Sequence, residues 1–311
     1  MDRRVNKYPL LIIVSICLLF LKVAPAFPEQ IVIDSAGQFG FARTCMEKGE
    51  YERAAFEFER FIHFFPDSSQ VPTAHYLIGM CYFKDRRFDA ARDSFFYIIS
   101  SGADTLLSGN ALFMIGESYY QQGVFTEAAY YFGQIIEKSL HLEVKNVATY
   151  RLGWTRMHTG RWRDASDVFC QINKFSTFYD SSQELAEQSL RGEKLPVKRP
   201  AYAGTLAALI PGLGHVYVSR YRDATVAFLL NGLFIWATVE SFNEDHNVLG
   251  GILALLSAGW YTGNIYSAVN STHKYNRKMK NDFIGNLKDQ FDLGFFAGRQ
   301  GYVGLALTCR F

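Results

Sequence analysis

Neither sign of charge prevails in this 311-residue chain: 32 Lys and Arg stand against 30 Asp and Glu, a formal +2. With 49% hydrophobic and only 20% charged residues, that balance excludes a disordered chain and one that coats nucleic acid. Cysteine is scarce as well. The five cysteines follow no metal-ligand or disulfide spacing, and Cys45, Cys81 and Cys170 read as small buried hydrophobes. Catalytic fingerprints are missing too: there is no HExxH pair, no GxxxxGK(S/T) phosphate loop and no GxSxG elbow. The sequence thus offers no catalytic, metal or cofactor-binding set, and an enzyme has only absent motifs to argue from. His63, His75, His141 and His158 stand singly, where solvated or packed side chains are the default.

What is present is a repeat. Ala42, Gly79, Gly116 and Gly153 each open the same pattern, 37 residues apart. Seven residues on comes Gly49, Arg86, Gly123 or Gly160 at a turn, then an aromatic: Tyr51, Phe88, Phe125 or Trp162. Ala54, Ala91, Ala128 and Ala165 follow where two helices must cross closely, and Phe58, Phe95, Phe132 and Phe169 come four residues later. A fixed period of this size means one helix–turn–helix unit stacked repeatedly. The order small, turn, aromatic, Ala, aromatic resembles the tetratricopeptide repeat over about 38–177. That motif is normally about 34 residues long, so the connectors here are about three residues longer. Only the first unit closes with the family's proline, Pro66.

The resemblance implies an all-α solenoid whose first helices line a concave groove that binds a protein or peptide. At one helical phase of those first helices lie Phe39, Tyr76, Phe113 and Tyr150, then Arg43, Met80, Glu117 and Trp154, then Met46, Phe83, Tyr120 and Met157. Ten of these twelve are aromatic or Met, against 16% aromatic residues overall. Two readings stand side by side: an apolar groove for a partner, or rings packed as core between neighbouring repeats. The expected groove set is Phe39, Arg43, Tyr76, Met80, Phe83, Phe113, Glu117, Tyr120, Tyr150 and Trp154.

The ends carry different signals. Arg3, Arg4 and Lys7 precede an apolar run over 10–21 and Ala24-Pro25-Ala26, which reads as a secretory signal over 1–26 and predicts a mature start at Phe27. The repeats over 35–191, with a capping helix over about 180–190, would then be periplasmic in a bacterial envelope. The composition of 192–200 is that of a linker, with two prolines and a basic cluster. Apolar runs follow at 201–219, 224–242 and 248–269; the last two are long enough to span a bilayer. Pro211-Gly212-Leu213-Gly214 breaks the first, so a half-helix, kink or interfacial segment is expected there. Pro-Gly-Leu-Gly-x-x-Tyr ahead of a basic, aromatic stretch and two apolar helices resembles small bacterial membrane domains of unassigned role, over about 203–270.

Basic residues at 220–222 and 274–280 flank the hairpin and acidic Glu244 and Asp245 lie between the spans. The positive-inside rule puts those basic ends in the cytoplasm. A periplasmic array then requires 201–218 to cross as a third span, against which Lys194, Lys198 and Arg199 argue. In the basic tail over 271–311, Val303, Leu305, Leu307, Cys309 and Phe311 alternate with small or polar residues, which predicts a short hairpin with 291–296. An outer-membrane barrel needs at least about eight such strands. The sequence thus describes a non-enzymatic envelope adaptor: an inner-membrane protein, in contact with the lipid bilayer, whose repeats bind a protein or peptide and which takes no nucleic acid or cofactor. The alternative is a membrane-domain activity, transport or maturation of a membrane partner, with the repeats as recruiting arm.

Overall fold

A computed structural model of the chain describes residues 34–297 and 303–309. The signal-sequence expectation at 1–26 lies outside them. Four helix pairs stack in chain order: α1 (Ser35–Glu47) and α2 (Tyr51–Phe64), α3 (Val71–Lys84) and α4 (Phe88–Ser100), α5 (Thr105–Gln121) and α6 (Phe125–Lys138), α7 (Leu142–His158) and α8 (Trp162–Cys170). A ninth helix, α9 (Tyr179–Gly192), packs on α8 and covers the last pair. The array is a TPR-like helical solenoid.

The turn residue of each unit explains why the first helix stops where it does. Gly49, Gly123 and Gly160 have φ between 76° and 80°, and Arg86 adopts 61°. Each donates its N–H three residues back, from Gly49 to Met46 at 3.0 Å and from Gly160 to Met157 at 2.9 Å. The next residue closes a wider ring, as Val124 N to Tyr119 O at 2.9 Å. This is the left-handed helix stop that glycine adopts without steric penalty, and Arg86 bears that penalty. Each second helix then opens with an acid in its first turn, Glu52, Asp89, Glu127 or Asp164, which complements the helix dipole.

Helices of a pair meet at the repeat's glycine. A Cβ at Gly79, Gly116 or Gly153 would lie 2.6, 2.8 or 2.5 Å from the ring of Phe95, Phe132 or Phe169. All three rings, and Ala91, Ala128 and Ala165 beside them, are fully buried. The phenylalanine fills the notch that the glycine leaves, which is why the two recur together. Burial also pushes the Cys81 thiol up to about 12, so Cys81 is an inert core residue as expected, whereas Cys170 is exposed.

Beyond α9 the chain changes character. Helix α10 (Pro200–Leu209) runs antiparallel to the middle of a 44-residue helix, α13 (Asn247–Gln290). Tyr261 donates its hydroxyl to the Ala208 carbonyl at 2.9 Å, and Lys198 and Asn276 exchange two 2.8 Å bonds at the opposite end. Ten residues of α10 reach only about 15 Å. The chain then reverses through Gly212 (φ 92°) into a short α11 (Leu213–Tyr217). The reversal has no room for side chains: a Cβ at Gly212 would run into the Ala224 carbonyl, and one at Gly214 into the Ala203 carbonyl. Asn264 clasps it, donating to the Ala207 carbonyl at 3.1 Å and accepting from the Gly212 N–H at 3.4 Å.

Residue 199 thereby returns beside residue 217, whose hydroxyl accepts its N–H at 3.2 Å. The segment 201–218 thus runs out along α13 and returns. Helix α12 (Tyr221–Asn243) then runs antiparallel to α13, joined by Thr238–Ser257 at 3.1 Å and the Phe234–Trp260 ring pair at 6.0 Å. Both α12 and α13 are long and apolar enough to cross a membrane. Their outer faces carry exposed Phe228, Leu229, Trp236, Ile252, Leu255 and Trp260. The expected hairpin closes the chain: β1 (Phe291–Ala297) pairs antiparallel with β2 (Val303–Cys309), in a register that sets Leu293 opposite Leu307.

Candidate partner-binding face

Of the ten residues expected in the groove, all but Arg43 are buried. The first ring of each unit rests on the phenylalanine of its own second helix: Phe39 on Phe58 at 5.3 Å, Tyr76 on Phe95 at 5.5 Å, Phe113 on Phe132 at 5.4 Å and Tyr150 on Phe169 at 5.7 Å. One turn pair further on, Phe83 meets Phe88 and Tyr120 meets Phe125, edge to face. Met80, Trp154 and Met157 are buried between these layers, and Met46 packs against them from the edge. These side chains therefore carry packing. Arg43 stays half exposed, 3.7 Å from Glu47.

Glu117 is the polar exception. It is completely buried and accepts from Gln121 Nε2 at 2.7 Å and Arg151 Nη2 at 2.9 Å. Arg151 Nε lies 2.8 Å from the other carboxylate oxygen but off the hydrogen-bond direction. Burial raises the Glu117 pKa; Arg151, Gln121 and Lys288 oppose that rise. A carboxylate on one repeat and a guanidinium on the next thus pin two units together across their apolar contact.

At the N-terminal ends of the first helices the face is open. A cavity of about 570 Å³ lies between α5, α7 and the segment 173–178. Tyr76, Phe113, Met114 and Val147 form apolar walls, with Asn110 and Asn146 beside them. Exposed Phe175 stands at its rim, held on a turn whose Asn173 side chain accepts the Phe175 N–H at 2.9 Å.

At the C-terminal ends the same face is covered by the chain itself. The last turns of α13 pass over α5 and α7: Lys280 Nζ donates to the His158 carbonyl at 2.7 Å, Phe283 meets Trp162 at 5.7 Å, and Lys288 stands 5.2 Å above the Tyr120 ring. Ile284, Leu287 and Phe291 are buried and belong to the array's core. His158 is caught in this junction, stacked on Phe125 at 4.5 Å and edge-on to Tyr120 at 5.4 Å. Burial, then Lys288, Lys280 and Arg151, press its pKa down to about 3. Burial and neighbouring Arg277 lower that of Lys280. Among the described residues no group of three or more His, Cys, Asp or Glu side chains is placed to share a metal ion.

Sequence reasoning missed this docking because 271–311 stood out for its basic residues. A signal was there: Phe283, Ile284, Leu287 and Phe291 recur at helical spacing on one stripe. The cavity had no comparable sign, because its walls come from three helices and a loop far apart in sequence.

The tetratricopeptide repeat family model matches residues 110–139. No curated protein matches the chain. Among solved structures, a putative kinesin light chain from Podosopora anserina with nearly identical TPR-like repeats is 12% identical, with 52% of this chain and 87% of that one covered at a TM-score of 0.42. YrrB, described as a TPR protein with an unusual peptide-binding site, is 17% identical over 61% of this chain and 81% of its own, at 0.36. A tetratricopeptide repeat protein from Parabacteroides merdae is 13% identical over 81% of this chain and 98% of its own, at 0.41.

Proposed function

We propose that this chain is a membrane-held, non-enzymatic adaptor whose helical repeats capture a peptide or an apolar loop of a partner protein. The observation that carries this reading is the open cavity at Tyr76, Phe113, Met114 and Val147, with Phe175 at its rim. It is apolar, concave and bounded by asparagines, the composition of a site that buries a few side chains and orients a backbone. The repeats over 35–191 do the binding, 192–200 links them to the apolar helices, and 201–270 holds the chain in the bilayer. The exposed apolar faces of α12 and α13 support that anchoring, since a soluble protein's core helix would be covered.

The test is crosslinking from a photoreactive residue at Phe175 in living cells, against the same probe at Leu140 outside the cavity. Asn110→Trp, which fills the cavity, should abolish the Phe175-specific product while leaving the melting temperature unchanged. An undiminished product with Asn110→Trp refutes the cavity as the binding site.

A signal sequence at 1–26 gives an envelope protein of the inner membrane with periplasmic repeats. A second orientation is favoured by one observation: Lys198 and Arg220 meet α13 at Asn276 and Ser271, and Lys280 meets the array at His158, so the basic clusters around 194–199, 220–222 and 274–280 share the array's side. The positive-inside rule then sets the array in the cytoplasm. Labelling of exposed Cys170 by a membrane-impermeant maleimide in intact spheroplasts separates the two, with Cys170→Ser as control. A membrane-domain activity is the other functional alternative, favoured by the irregular backbone that Asn264 clasps between α10 and α11. Exchanging 201–270 for an unrelated anchor abolishes function on that reading and spares it on the adaptor reading.

A further inference from the structure

The seam where α13 leaves the apolar hairpin and meets the array holds a second cavity, of about 350 Å³. One wall is apolar, from Trp162, Leu195 and Val197; the other is basic, from His273, Arg277 and Lys280. The walls are fixed before anything enters. Asn276 holds the linker backbone at Lys198 with two 2.8 Å bonds, and Gly192 packs directly on the Trp162 ring. Lys280 is tied to the His158 carbonyl at 2.7 Å. Glu193, the carboxylate on the rim, is paired with Arg163 at 3.0 Å. Arg277 and Lys280, three residues apart on α13, both line the cavity, and Arg277 is near enough to lower the pKa of Lys280, a pair of like charges that an anion relieves.

Its surroundings say which anion. Lys198, Arg199 and Arg220 are hydrogen-bonded to Asn276, Tyr217 and Ser271 at one end of the hairpin, with Lys194, Arg222, Lys274 and Lys278 beside them in sequence, whereas no Lys or Arg occurs from 224 to 273 and the far turn carries Glu244 and Asp245. Tyr202 and Tyr217 meet edge to face at 5.2 Å near the Arg199–Tyr217 bond, aromatic rings at the level where an apolar surface ends. Exposed apolar side chains of α10 and α13, Leu209 and Tyr266 among them, run away from the basic end.

We propose that this seam cavity seats the headgroup of an anionic phospholipid, its phosphate between Arg277 and Lys280 and its acyl chains along the apolar faces of α10 and α13. The proposal rests on the reading that α12 and α13 lie in a bilayer. The bound lipid would bridge the last repeat, the linker and α13, and so fix the array's pose on the membrane surface.

The experiment uses the full chain in neutral detergent. Short-chain phosphatidylglycerol, phosphatidylcholine of equal chain length and inorganic phosphate are titrated separately, with bound species counted by native mass spectrometry. Phosphatidylglycerol is expected to bind at least about tenfold more tightly than phosphatidylcholine. Each cation at a membrane surface contributes about a factor of five, so Arg277→Gln should lower that affinity about fivefold and Arg277→Glu about thirtyfold. The exposed position of Arg277 leaves folding intact, and unchanged melting in the absence of lipid verifies it. Equal binding of the two lipids, equal binding of phosphate, or indifference to Arg277→Glu each overturns the proposal. Flotation with vesicles of phosphatidylcholine alone reads the membrane location separately. Protein that floats there yet lacks the headgroup preference refutes only the lipid site; protein that does not float refutes both.

Discussion

Acidification should loosen the grip of α13 on the array, and His158 is the group through which it acts. The ring is sandwiched between Phe125, Tyr120 and the Lys280–Lys288 stretch of α13, and its pKa is lowered from 6.5 to about 3. The docked state therefore holds neutral His158, while a state with α13 released takes up a proton at an ordinary pKa. Docking is unaffected well above pH 6.5 and weakens as pH falls through it, because the released state then binds the extra proton. Between pH 6.5 and about 5.0, before most carboxylates titrate, the limit is about 1.6 kcal/mol, or about sixteenfold in the opening equilibrium. Residual burial after release reduces that figure.

Hydrogen exchange of the peptide covering 280–291, corrected for intrinsic rates, measures it on the full chain in detergent. His158→Phe keeps the stack on Phe125 without a titrating nitrogen, so its protection should stay flat over the same interval. Parallel loss of protection in the wild type and His158→Phe would refute the reasoning and point to another titrating group.

Other perturbations separate packing from charge. Glu117→Ala leaves Arg151 without its buried carboxylate and should cost about 3–5 kcal/mol in stability. Glu117→Leu with Arg151→Met should recover most of that, a comparison that denaturation of the full chain can make. Gly116→Ala drives a methyl group into the Phe132 ring and should cost about 1–3 kcal/mol; Phe132→Leu in the same chain should relieve part of it. Tyr76→Ala empties a fully buried site and should cost about 3–5 kcal/mol, seen as a lower melting temperature by circular dichroism.

The helix pairs were legible because their constraint is local and repeats. Gly79 and Phe95 are sixteen positions apart, close enough for one unit to record both the notch and the ring that fills it. The backbone reversal after α10 was legible for a similar reason: Pro211, Gly212 and Gly214 are incompatible with a continuous helix. The fate of the groove aromatics was not. Tyr76 reads alike whether it meets a partner or Phe95, since helical phase identifies a shared face and not what covers it. For Tyr120 and His158, at the other end of the face, the covering element lay more than a hundred residues away, at Lys280 and Lys288, where proximity depends on how α13 is aimed and not on any local pattern. Arg151 escaped for the same reason, because its partner Glu117 belongs to a different unit.

The uninterrupted course of α13 makes it a ruler with a fixed angular phase. Asn276 grips the linker at one point, and four residues later Lys280 reaches the His158 carbonyl. A residue inserted between them would turn everything beyond it by about 100° and advance it by about 1.5 Å. Phe283, Ile284 and Leu287 would then face away from the array while Asn276 still held its start. An insertion of seven residues, close to two full turns, would restore the facing and lift the docking stripe by about 10 Å. The spacing from 276 to 280 is therefore a length standard for the molecule, and the pose of the repeats is set by a count of residues as much as by the chemistry of the contact.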